Sequence, residues 1–191
     1  DSKYYSSSIL NEILSLEKSL PTDKEVAKIR GESLEPFDLN KEEKAFIVAG
    51  DNYTASFPKA DKIADIKFRI GRLYYTHNYF DQALVVFRRI VKEHPKTEFA
   101  RFSANLILDI YNLRKDYQGL TKAGEELLND PTLKSADVGD IKNVVERARF
   151  KEAQDLEVAK NFMGAGKAFE AFSRNYSMSS LAGISKYNAG V

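Results

Sequence analysis

The sequence predicts an all-α chain of about nine or ten helices arranged as antiparallel pairs, with no sheet. Three observations carry this. Apolar residues recur at three- and four-residue steps almost throughout, as they do on one face of an α-helix. No segment alternates apolar and polar residues over a strand's length between turn residues. Punctuation is sparse and regular, at Phe57-Pro58, His94-Pro95 and Asp130-Pro131. A proline just past a helix end disfavours continuation of that helix.

In chain order, Leu10, Ile13, Leu14 and Leu16 form the first apolar stripe, which predicts helix over about residues 3–30. Phe46, Ile47, Ala49 and Tyr53 predict helix over about 40–56. Ile63, Ile66, Ile70, Leu73 and Tyr74 form the next stripe, and Asn78 separates it from Ala83, Val86, Phe87, Ile90 and Val91.

From Phe57 onward the chain repeats itself. Pro58 and Pro95 lie 37 residues apart (95 − 58), as do Tyr74 and Tyr111, and Phe80 and Tyr117. A second offset of 82 (162 − 80) joins Phe80 to Phe162, Ala83 to Ala165, Phe87 to Phe169 and Ile90 to Phe172. The third unit therefore follows the second by 45 residues (82 − 37) rather than 37, a delay of about two helical turns. A longer first helix within Lys134 to Lys160 accommodates the delay. In the second unit, the strict offset sets Leu120 and Gly124 opposite Ala83 and Phe87. A three-residue slip in the turn sets Ala123 and Leu127 there instead and makes better packing sense. Each helix pair leaves an apolar face that the next must cover, so the expected architecture is an α-solenoid stabilised by neighbour contacts.

The unit resembles the tetratricopeptide repeat (TPR), whose signature runs Trp, Leu-Gly and Tyr on the first helix, then Ala and Phe on the second, then Pro. Ile70-Gly71 and Tyr74 match the first helix, and Ala83, Phe87 and Pro95 match the second. Lys67 stands in the tryptophan slot, and Ser177 replaces the proline of the third unit. The resemblance covers about residues 57–191, with units at about 60–95, 97–131, 136–177 and a truncated one at 179–191. Residues 1–56 then form an N-terminal helical cap or a degenerate repeat. Ala189-Gly190 falls in the Ile70-Gly71 slot, so the natural chain is expected to continue past Val191.

Two phrases, Tyr79-Phe80-Asp81-Gln82-Ala83-Leu84 and His94-Pro95-Lys96-Thr97, are similar to TPR proteins of the bacterial cell envelope. Examples are the TPR lipoprotein of outer-membrane β-barrel assembly and the Tol-associated periplasmic coordinator. That likeness implies a periplasmic or outer-membrane-associated setting, with a lipid anchor upstream of Asp1 as one expectation and a cytoplasmic setting as the alternative. No apolar run reaches the roughly 18 residues of a membrane-spanning helix.

Composition argues against most chemistry. With 29 basic and 28 acidic residues, the net charge of +1 gives no bulk field to attract nucleic acid or an anionic membrane. Two histidines, His77 and His94, and no cysteine leave little material for a catalytic or metal constellation. The expectation is therefore no enzyme, no cofactor and no metal. Gly164-Ala165-Gly166-Lys167 has Asn161 and Ala168 where a phosphate-binding loop needs Gly and Ser or Thr, and reads as close helix packing. His94 shares the slot of Phe57 and Tyr176 and reads as packing, with a cation favoured at the helix end.

The resemblance implies a concave groove, lined by the first helix of each unit, that receives an extended peptide or a partner helix. Carried over slot by slot, the first unit supplies Asp65, Phe68, Arg72 and Tyr75. The second supplies Phe102, Asn105, Asp109 and Asn112, and the third Arg147, Phe150 and Gln154. Aromatic anchors with polar groups fixing orientation are what binding energetics favour. The alternative is that Phe68 and Phe150 simply pack against neighbouring helices. The resulting reading is a non-enzymatic protein–protein interaction scaffold. A substrate-docking region of a larger enzyme or regulator is the second reading, and an RNA-binding helical repeat ranks behind both because the chain is nearly neutral.

Overall fold

In the computed structural model the described residues form ten helices and no strand. The structure describes residues 2–130 and 135–190, and the side chains of 7–130 and 138–190. Expectations at Pro131, Lys134 and Val191 lie outside the described residues. The helices are α1 (Ser2–Glu17), α2 (Asp23–Arg30), α3 (Lys41–Ser56), α4 (Ile63–Thr76) and α5 (Phe80–Glu93). They continue with α6 (Glu98–Leu113), α7 (Tyr117–Leu128), α8 (Ser135–Val158), α9 (Phe162–Asn175) and α10 (Ala182–Asn188).

The helix expected over 3–30 is two helices. Pro21 follows the end of α1, and Thr22 then starts α2 with a reciprocal cap. The Thr22 N–H and hydroxyl both donate to the Glu25 carboxylate, at 2.7 and 2.8 Å, while the Glu25 N–H donates back to the hydroxyl at 3.4 Å. Asn40 and Glu43 form the same device at the start of α3. Each satisfies backbone donors that a helix start leaves unpaired.

Packing divides the chain into residues 1–110 and 111–191, with the boundary inside α6. In the first unit, Ile13 of α1, Phe46, Ile47 and Tyr53 of α3, and Ile66 and Ile70 of α4 share one core. The contacts between α4 and α5 are symmetric about their short turn: Tyr75 meets Phe80, Phe68 meets Phe87, and Lys67 pairs with Glu93 at 2.9 Å. The two helices are therefore antiparallel. A Cβ on Gly71 would lie 2.6 Å from the ring of Phe87, so glycine is what permits this approach. In the second unit, α8 packs on α7 and α9, and α10 packs on α9. Its core is Phe150, Ala153, Ala165, Phe169 and Phe172.

Two turns recur at the offsets read from the sequence. Asn78, Lys115 and Lys160 each adopt positive φ, at 61, 54 and 58°. The N–H of the next residue in each, Tyr79, Asp116 or Asn161, donates five residues back, to Tyr74, Tyr111 and Leu156 respectively. The second turn follows α3, α5 and α9. Phe57, His94 and Tyr176 share φ of −127, −130 and −121°, and each carbonyl accepts from the N–H three residues on. The first turn therefore keeps the strict offset of 37, and the expected three-residue slip is absent. Leu120 and Gly124 take the Ala83 and Phe87 slots and are both buried, together with Ala123 and Leu127. Gly164 also has a more local role than helix packing. A Cβ there would strike the Asn161 side chain, which caps α9 by accepting from the Gly164 N–H at 3.0 Å.

Candidate functional site

In the first unit the expected groove residues come from α4 and α6. Asp65 accepts from Arg69 at 2.6 Å and faces Lys62 at 3.7 Å. Burial raises its carboxyl pKa against the opposing pull of Lys62, and Glu98 adds to the rise. Phe68 is half-buried, its ring 5.9, 5.5 and 5.8 Å from those of Phe87, Phe99 and Phe102. Phe68 thus backs the site instead of presenting a free face. Phe102 is 37% exposed, and the Arg101 guanidinium lies 5.2 Å from its ring centre, a cation–π distance.

Asn105 is exposed and Asp109 is half-buried, and with Phe102 they occupy spacings of one helical face. Asn112 is exposed and belongs to the second unit. The Tyr75 hydroxyl donates to Asp109 at 2.5 Å. Burial raises the pKa of that phenol far above its ordinary value, and the bond to Asp109 raises it further. The tyrosine is a fixed donor that orients the carboxylate. Arg72 is exposed and pairs with Asp23 of α2 at 2.7 Å.

In the second unit, Arg147 is exposed, whereas Phe150 is 8% exposed. Its ring is 5.6 Å from both Phe169 and Phe172, so it is a core residue of its own helix pair. Phe68 and Phe150 share a sequence slot and have different surroundings. Gln154 lines a groove of about 390 Å³ with Lys115, Tyr117, Lys151, Asp155, Glu157 and Val158.

His77 lies in the turn after α4 and is buried. Its Nδ1 faces the Leu73 carbonyl at 3.0 Å, which only accepts, so Nδ1 carries hydrogen. Its Nε2 faces the Glu43 carboxylate at 3.3 Å, with the two side chains 3% and 1% exposed. Phe37 stacks on the imidazole at 4.4 Å, and its N–H donates to the His77 carbonyl. Nothing in a single histidine codon forecasts this partner 34 residues upstream (77 − 43). Asp23, Phe99 and Arg101 also went unread. Asp23 carried a signal in the Thr22-to-Glu25 cap, which marks a helix start.

His94 differs from the expected cation. Burial lowers its pKa, the Lys67 charge lowers it further, and Glu93 only partly opposes them. Among the described residues, no helix is long and apolar enough to cross a membrane, and no group of three or more His, Asp or Glu is placed to hold a metal ion. No family model matches the chain, and neither does any curated protein or solved structure.

Proposed function

We propose that the chain is a non-enzymatic protein-binding scaffold of the TPR kind, taking a peptide or partner helix along α6. The observation that carries this reading is the stripe Phe102, Asn105 and Asp109. One face of one helix presents an exposed aromatic backed by Phe68, followed by an exposed amide and an oriented carboxylate. A rigidly supported aromatic loses little freedom on contact, and an amide both donates to and accepts from a peptide backbone.

The TPR reading draws support from the two turns that recur at 37 and 82 residues. Because α3 ends in the same turn as α5 and α9, residues 1–56 read better as a degenerate repeat than as a simple cap. The envelope setting is proposed on the likeness of residues 79–84 and 94–97. A photo-crosslinking residue at 102 or 105 in the producing cell tests the reading. Discrete protein adducts from these positions, and none from position 85 on α5, are expected. Adducts from position 85 alone would sink it.

A further inference from the structure

The least anchored helix of the first unit is α2. Val26, 5% exposed, is its one buried side chain, and α4 is the helix it packs on. Asp23 at its start holds Arg72, and Arg30 closes its last turn. Arg72 and Tyr75 are both candidate binding residues of α4. The chain thus already lays a short helix on that face, acidic first, aliphatic in the middle and basic last.

The flanks of α2 are tied down elsewhere. Glu17 of α1 pairs with Arg69. Downstream, the Asn78 side chain donates to the Ser33 and Glu35 carbonyls at 2.9 and 3.0 Å. Between these anchors stand Pro21 and Gly31, the latter at φ 58° with open space around it. An eight-residue helix is too short to persist by its own hydrogen bonds. Its ion pair with Arg72 is largely solvated, the two side chains being 44% and 76% exposed, and so adds little. This segment can leave while its two anchors stay in place.

We infer that α2 is a hinged self-occupant of the α4 face, and that a partner helix of the same chemistry takes its place. The partner supplies a carboxylate for Arg72 and, about one turn later, an aliphatic side chain in the position of Val26. The inference rests on the protein-binding reading and names the class of partner for its α4 side.

The test uses the full 15N-labelled chain and a synthetic peptide of residues 20–34. Val26→Glu in the chain removes the buried contact of α2 and leaves α4 untouched. The peptide is expected to shift the Arg72 and Tyr75 amides of that variant, with a Kd at least fivefold lower than for the wild type, whose own helix competes. A peptide carrying Val26→Glu should shift neither. Val26→Lys in the chain is a second opening variant at the same buried contact and should behave like the first. Without peptide, the α2 amides should exchange hydrogen at least tenfold faster than those of α4. Equal affinity of the wild-type and opened chains, no shift in α4 of either opened variant, or equal protection of α2 and α4 would each overturn the inference. Failure of the α6 reading would show separately, at Phe102 and Asn105.

Discussion

Gly71 shows how one missing methyl sets a helix separation. Alanine there would improve helix propensity by about 1 kcal/mol. Its Cβ would also fall 2.6 Å from the Phe87 ring, which is fully buried and has nowhere to retreat. Overpacking of that kind costs about 1–3 kcal/mol, so Gly71→Ala is expected to destabilise by up to about 2 kcal/mol net, read as a lower urea midpoint. The Glu43–His77 pair makes a second prediction. His77→Leu removes one polar partner of buried Glu43, leaving the Asn40 N–H, and should cost about 1–3 kcal/mol. Glu43→Gln in the same chain should recover part of that loss, because a buried amide left short of a partner costs less than a carboxylate, and a double-mutant cycle measures the coupling. His94 predicts a pH effect. Its folded pKa is lowered, so its contribution is present above the unfolded value of about 6.5 and is lost as pH falls through the lowered value. The urea midpoint should therefore drop more between pH 7.5 and 5.5 in the wild type than in His94→Gln; equal drops would contradict this assignment.

At the scale of the element, the turns between paired helices were legible as positions but not as conformations. Asn78, Lys115 and Lys160 share a left-handed backbone, which asparagine tolerates better than lysine does. Lys115→Gly and Lys160→Gly should each stabilise by about 0.5–1 kcal/mol in urea unfolding, the relief of strain exceeding the entropy glycine loses. Asn78→Gly should go the other way, by about 1–2 kcal/mol, because its side chain holds the Ser33 and Glu35 carbonyls. Helices α3 to α7 and α9 were readable because apolar periodicity, aromatics and prolines agree there. The break between α1 and α2 carried a signal, Pro21 with the Thr22-to-Glu25 cap, that was outweighed by the run of helix-forming residues. The strap of residues 33–37 was not readable, since its hydrogen bonds run to a turn more than 40 residues later.

At the scale of the whole molecule, the all-helical class followed from periodicity alone, while the candidate site followed only in part. The repeat slots place Phe102 and Asn105 on one exposed face of the first unit. They treat Phe68 and Phe150 alike, although Phe68 supports an exposed ring and Phe150 fills a core. Repeat position specifies backbone geometry; side-chain exposure depends on neighbours that need not repeat. The central claim is that a protein ligand binds along α6, and calorimetry of a peptide selected from a displayed random library tests it most directly. Phe102→Glu and Asn105→Ala should each weaken binding at least tenfold without moving the urea midpoint. Val85→Glu, at a position 68% exposed on α5, should leave affinity unchanged. Peptides that bind all four proteins equally, or that lose affinity only with Val85→Glu, would contradict the account.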